Sequence, residues 1–144
     1  MIRQKIYLPK YDWTAYCYYA VSTYYVDEIM ERLWEIGVDA NNAKQAYENL
    51  SAGDLDTGLC YSNYKLNKSV MVVSNASSPA EFFNSLSHEV RHLTSHIAKT
   101  FNLSSTGEDV AYLSGEISRE IYPRICHLLC NCHSKEQKRK RYIS

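Results

Sequence analysis

The strongest constraint on the fold is a stripe of apolar residues at helical spacing in the second half of the chain. Its members follow one another at intervals of three or four residues: Phe82, Leu86, Val90, Leu93, Ile97 and Phe101. Ser78 is a suitable N-cap and Pro79 suits a first turn, so the pattern predicts a long helix that begins at Ser78. Such a helix must bury its apolar face against another element.

A second apolar stripe follows after a short loop. Its residues are Val110, Leu113, Ile117 and Ile121. We predict that this helix begins at Ser105, with a capping box closed by Glu108, and that Pro123 kinks or ends it. The two helices are expected to form an αα-hairpin.

The first half of the chain predicts strands and two more helices. Strands are predicted at 4–8, 14–26, 59–64 and 69–74, and helices at 26–36 and 41–50. A chain of 144 residues is long enough for one core but too short for two ordinary domains. We therefore predict a single α+β domain over residues 1–134, with a small antiparallel or mixed sheet, and a basic tail at 135–144.

The charge is balanced overall but uneven along the chain. Of 16 basic and 16 acidic residues, five basic ones and Glu136 lie in 135–141, which leaves 11 basic and 15 acidic residues elsewhere. A body without a basic excess does not favour a nucleic-acid partner. The tail is expected to dock on an acidic partner or to serve as a solubilising end.

The motif that carries chemistry lies within the first long helix. His88-Glu89-Val90-Arg91-His92 matches the pattern H-E-x-x-H. At about 100° per residue, His88 and His92 share one face one turn apart, so both imidazoles can reach one metal ion. Glu89 lies on the flank of that face, where it is expected to accept a proton from a metal-activated water. The pattern predicts a Zn²⁺ site with Glu89 as general base.

The third metal ligand is left open by the residues alone. His96 lies too far along the helix from His88 to share the ion. Glu108, Asp109 and Glu116 on the next helix are the candidates; Glu108 competes with its own capping role, and an antiparallel hairpin favours Glu116.

These motifs resemble the gluzincin-type HExxH metallopeptidases, and most closely the small ones of bacteriophages and Bacteroidetes mobile elements. The resemblance runs through residues 55–122 and includes 87–93 and 108–115. It implies a zincin-like fold, Glu108 as the third ligand, and a protein or peptide substrate. It also implies an edge strand beside the metal helix that binds substrate as an added strand, for which Val70–Ser74 is the expected candidate.

The resemblance leaves two functions to distinguish. The first is a zinc endopeptidase that acts on a host protein or a virion component. The second is a non-catalytic zincin-fold phage protein, structural or interacting, with a structural metal site. Tyr112 and His96 could stabilise an oxyanion or line the pocket, but a packed tyrosine and a surface histidine are favoured.

The cysteine content and the hydropathy of the chain indicate the cellular compartment to expect. The five cysteines, with Cys126, Cys130 and Cys132 clustered, favour a reduced compartment over a disulfide framework. Apolar packing is the favoured role of the cluster and a second metal the alternative.

No apolar run approaches membrane-spanning length and residues 1–6 lack a secretory core. The expected location is the cytoplasm of a bacterial host, with virion association as an alternative and no membrane partner.

Overall fold

The computed structural model describes residues 1–53 and 55–130, which form an α+β fold with one mixed four-stranded sheet. Its main elements in chain order are β1 (Ile2–Leu8), β2 (Trp13–Val21), α1 (Val26–Glu35), α2 (Ala40–Ala52), β3 (Gly58–Asn63), β4 (Lys68–Ser74), α3 (Pro79–Thr100) and α4 (Glu108–Ile125). Short 3₁₀ turns lie at Pro9–Tyr11, Thr23–Tyr25 and Cys126–Leu128. The predicted tail, 135–144, lies outside the described residues.

The order of the strands in the sheet is β1-β2-β4-β3. Strand β2 runs antiparallel to β1 and parallel to β4, while β3 is antiparallel to β4. The prediction that Val70–Ser74 is an edge strand is therefore wrong, because β4 is paired on both sides. Its apolar run Val70–Val73 is fully buried, as expected for a strand covered on both faces. The edge strand beside α3 is β3.

The helices cover the two faces of the sheet. Alternate residues of β4 point to opposite faces: Val70 and Val72 join the core under α1 and α2, and Met71 and Val73 join the core under α3 and α4. Leu93 and Leu113 belong to this second core, so both predicted apolar stripes are buried against the sheet, except for Phe101, which follows the end of α3 and is exposed. Helices α3 and α4 also pack against each other.

The helix ends confirm one predicted cap and correct two other predictions. The Ser78 hydroxyl accepts a hydrogen bond from the Glu81 backbone N–H at 3.2 Å, as predicted. Helix α4 instead begins at Glu108 with Gly107 as its N-cap and no side-chain cap. The predicted capping box is therefore wrong, because residues 104–107 form a turn in which the Gly107 N–H donates to the Ser104 carbonyl at 3.0 Å.

Pro123 neither ends the helix nor stops its last turn, since α4 continues to Ile125. The proline lacks the backbone N–H that would bond to the carbonyl four residues earlier, so the helix continues past it with one hydrogen bond fewer. The strand predicted at 14–26 is also too long, because β2 ends at Val21 and the 3₁₀ turn Thr23–Tyr25 leads into α1.

Among the described helices, none has the length and apolar character to cross a bilayer.

Gly58 provides a test of how closely β3 approaches its neighbours. Its φ is +153°, and a Cβ at this position would lie 1.8 Å from the Val72 carbonyl oxygen. Gly58→Ala is expected to lower the free energy of unfolding by roughly 2–4 kcal/mol, because the backbone of β3 must move. Urea denaturation followed by circular dichroism measures the change.

The matched control is Gly115→Ala in α4, where an added Cβ meets no atom within 4 Å. This variant is expected to raise the free energy of unfolding by up to about 1 kcal/mol through helix propensity. Equal stability of the two alanine variants would contradict the close approach at Gly58.

Candidate metal centre

The outward face of α3 carries the two histidines of the motif. His88 and His92 are exposed, and their Nε2 atoms lie 3.1 Å apart. Two imidazole nitrogens on one tetrahedral zinc, each about 2.0–2.1 Å from the metal, stand about 3.3 Å apart. The histidine pair therefore has the spacing of two ligands of one ion.

Glu89 is buried between α3 and β3. This position is deeper than the flank of the histidine face on which the helical spacing places it. Its exposed fraction is 2%. The Thr57 hydroxyl donates to Glu89 Oε1 at 2.8 Å, whereas Oε2 is buried and has no hydrogen-bond partner among the described residues. Gly58 allows this packing, since a Cβ there would lie 3.1 Å from Glu89 Cγ. One carboxylate oxygen is thus held and the other is left for a further donor.

The electrostatics of Glu89 follow from this burial. Loss of solvent raises the pKa of the Glu89 carboxyl, and the Thr57 hydrogen bond and the positive charges of His88 and His92 partly oppose the rise. A carboxyl with a raised pKa is a better proton acceptor once ionised, which suits a general base.

His96 lies one turn beyond His92 and is half-buried against β3, so the prediction of a surface histidine is wrong. Its Nδ1 lies 2.6 Å from the Ser62 hydroxyl oxygen, and its ring packs edge-on to Tyr64 with 5.8 Å between ring centroids. Burial, then the charges of His92 and Lys99, lower the pKa of His96. The alternation of β3 was the available signal, because it turns Ser62 towards the helix that carries the motif.

The candidate third ligands all lie on α4, which packs on another side of α3. Ser87 and Arg91 of α3 line a groove together with Ser114 and Ser118 of α4. His88 and His92 lie on the next face of the helix, turned towards solvent.

The three α4 carboxylates therefore differ in their surroundings but none joins the histidines. Glu108 is exposed in the first turn of α4, and Asp109 lies 3.9 Å from the Lys10 ammonium, while Glu116 is half-buried. Within residues 1–53 and 55–130, no three His, Cys, Asp or Glu side chains are grouped so that they could hold one metal ion. The structure thus pairs His88 with His92 and turns Glu89 of the same helix towards Thr57, while the third ligand stays a prediction.

Two secondary predictions have different outcomes. Tyr112 is 74% exposed, so it is not the packed tyrosine that was predicted. Cys126 lies with its Sγ 3.9 Å from the Pro123 carbonyl oxygen, and Cys132 lies outside the described residues. The alternative of a second metal at the cysteine cluster is therefore untested.

Comparison of the chain with protein-family models, with curated proteins and with solved structures gives no match.

The burial of Glu89 predicts a pH-dependent stability difference. A carboxyl whose pKa rises on folding lowers stability when it is ionised, so the free energy of unfolding falls as the pH rises from its unfolded pKa to its folded pKa. In metal-free protein, Glu89→Gln is expected to be more stable than wild type at about pH 7, with a smaller difference at about pH 4. Urea denaturation at the two pH values measures this.

Glu48→Gln is the control, because Glu48 is an exposed carboxylate on α2. It is expected to leave stability nearly unchanged at both pH values. A Glu89→Gln variant that is less stable than wild type at about pH 7 would contradict a cost of burying the charge.

Proposed function

We propose that the protein is a zinc-dependent endopeptidase of the zincin-like class, in which His88 and His92 bind the metal and Glu89 is the general base. The observation that carries this proposal is the pair of histidine nitrogens 3.1 Å apart, on the same helix as a buried Glu89 Oε2 that has no partner among the described residues. A buried polar atom without a partner calls for an explanation, and a catalytic role is one explanation. We propose that a water donates to Oε2.

The donor set fits zinc in part. Two imidazole nitrogens at this spacing suit tetrahedral coordination, and a catalytic site needs one more protein ligand and an open position. Glu108 is the proposed third ligand, on the resemblance of residues 108–115 to the small HExxH metallopeptidases, with Glu116 and Asp109 as alternatives. Its side chain is exposed in the first turn of α4.

The chemistry is peptide hydrolysis. Zinc, when bound, supplies a Lewis acid that lowers the pKa of water towards 7 and polarises the carbonyl. Glu89 Oε2 accepts a proton from the attacking water, whose oxygen bonds to the carbonyl carbon, and delivers that proton to the leaving amine as the C–N bond breaks. Thr57 holds Oε1 throughout, so that Oε2 keeps its direction.

Strand β3 is the proposed docking edge for the peptide. The Ser74 N–H donates to the Thr57 carbonyl, which makes Gly58 and Val73 a non-hydrogen-bonded pair. By alternation, the backbone N–H and C=O groups of Gly58, Cys60 and Ser62 point away from β4. An extended peptide can pair with them beside α3. We propose a host protein or a virion component as the source of that peptide.

The alternative is a non-catalytic zincin-fold phage protein, structural or interacting, with a structural metal site. It predicts bound zinc that stabilises the α3–α4 hairpin and no peptidase activity.

Metal analysis and a cleavage assay test the proposal. Purified wild type is expected to contain zinc and to hydrolyse denatured casein. Glu89→Gln is expected to retain zinc and to lose about 10²–10⁴-fold in rate, because it cannot accept the proton. His88→Ala and His92→Ala are expected to lose the metal. Full activity of Glu89→Gln would refute the general base, and a zinc-loaded wild type without activity would support the alternative.

The third ligand is tested by single alanine substitutions on α4. Glu108→Ala is expected to weaken zinc binding by at least about 100-fold, more than the loss of an outer hydrogen-bond partner. Glu116→Ala and Asp109→Ala, matched changes on the same helix, are expected to retain zinc. If Glu116→Ala loses zinc while Glu108→Ala keeps it, the assignment moves to Glu116.

A further inference from the structure

We propose that His96 is a further catalytic residue, held by a buried chain of hydroxyl groups as a neutral hydrogen-bond donor to the carbonyl oxygen of the substrate. The proposal rests on the peptidase function above and adds the group that stabilises the developing negative charge on that oxygen.

The hydroxyl chain crosses the sheet from β2 to β3. Trp13 Nε1 donates to Ser69 Oγ at 2.8 Å, Ser69 Oγ lies 2.7 Å from Ser62 Oγ, and Ser62 Oγ lies 2.6 Å from His96 Nδ1. Trp13 and Ser69 are fully buried and Ser62 is nearly so. The four side chains form one continuous network that ends at the imidazole, whose Nδ1 also lies 3.9 Å from Cys60 Sγ.

The direction of the hydrogen bonds follows from the proton inventory. An indole N–H can only donate, and each serine hydroxyl has one proton. Ser69 therefore donates to Ser62, and Ser62 donates to His96 Nδ1. In the reverse direction Ser69 would accept twice, and its own buried proton would have no side-chain partner among the described residues. The imidazole is thus neutral, with its proton on Nε2.

The Nε2 atom of His96 is open to solvent. It has no hydrogen-bond partner among the described residues and is not among the buried atoms that lack one. The His96 ring lies 6.4 Å from the His92 ring between centroids. His96 and Glu89 both lie on the flank of α3 that meets β3. A peptide paired with β3 would therefore pass close to both.

A donor at this position acts on the charge that forms during hydrolysis. When water adds to the carbonyl carbon, the carbonyl oxygen becomes negative, and a fixed N–H stabilises it more than it stabilises the neutral substrate. The proton stays on His96 throughout, so Glu89 alone transfers protons. The serine chain matters because it prevents the ring from turning its acceptor nitrogen towards the substrate.

Kinetics of the zinc-loaded protein on a casein-derived peptide test the donor role. His96→Ala is expected to retain zinc and to lower kcat by about 10²–10³-fold with little change in KM, the effect of losing one oxyanion donor. Ser62→Ala is expected to lower kcat by about 10-fold, as for a supporting partner. Ser85→Ala, which removes a buried hydroxyl from α3 outside the chain, is expected to leave kcat unchanged.

Nitrogen-15 NMR of the full chain tests the tautomer without any turnover. In wild type, His96 is expected to show an unprotonated Nδ1 and a protonated Nε2 at neutral pH. Ser62→Ala is expected to give a mixture of tautomers, while Ser85→Ala keeps the wild-type pattern. A protonated Nδ1 in wild type would overturn the proposal.

A failure of the proposed His96 role can be distinguished from a failure of the proposed peptidase function. If wild type cleaves peptide and His96→Ala keeps the wild-type kcat, the role of His96 is overturned and the peptidase stands. If zinc-loaded wild type cleaves nothing, the peptidase function fails and the catalytic role falls with it, while the NMR pattern still shows whether the serine chain holds the ring.

Discussion

The packing of α3 on the central strand β4 determines how the candidate site is presented. Leu93 and Ile97 of the helix and Met71 of the strand are fully buried in one core. Because interiors are close-packed, this contact sets the rotation of the helix about its axis. That rotation turns His88 and His92 to solvent and Glu89 towards β3. Loss of this contact would leave the histidine pair on its helix but would change which elements Glu89 and His96 face.

Strand β3 is the second contributor to the site. Its alternating residues divide between the two faces of the sheet, with Leu59 and Tyr61 on the α1 and α2 side and Cys60 on the α3 side. Thr57, which precedes the strand, and Ser62 within it each place a hydroxyl against a polar group of α3. A short edge strand thus positions the proposed base and the proposed oxyanion donor.

The site stores unfavourable interactions that the surrounding core must offset. The Glu89 carboxyl group is buried with one oxygen that has no partner among the described residues, and a glycine with φ of +153° lies against it. Functional sites commonly retain such features because the same groups are reactive when substrate arrives. The serine chain behind His96 differs, since all of its polar groups are paired.

Local patterns predicted the helices and strands well where an apolar period was long, as in α3, where the Ser78 cap was also correct. They failed where several local choices were equivalent. Ser105 and Gly107 are both acceptable caps for α4, and the backbone turn at 104–107 decided between them. Val70–Val73 has the apolar run of a strand, but a run of this kind does not specify its neighbours in the sheet.

The amino-acid sequence by itself determined the pairing of His88 with His92, because residues four apart on a helix share a face whatever surrounds them. It also determined the two apolar stripes that bury α3 and α4. Only the tertiary structure decided that β3 is the edge strand, that Glu89 is buried against Thr57, and that His96 meets Ser62. These contacts join residues more than 30 positions apart, and no local period specifies which strand a helix will cover.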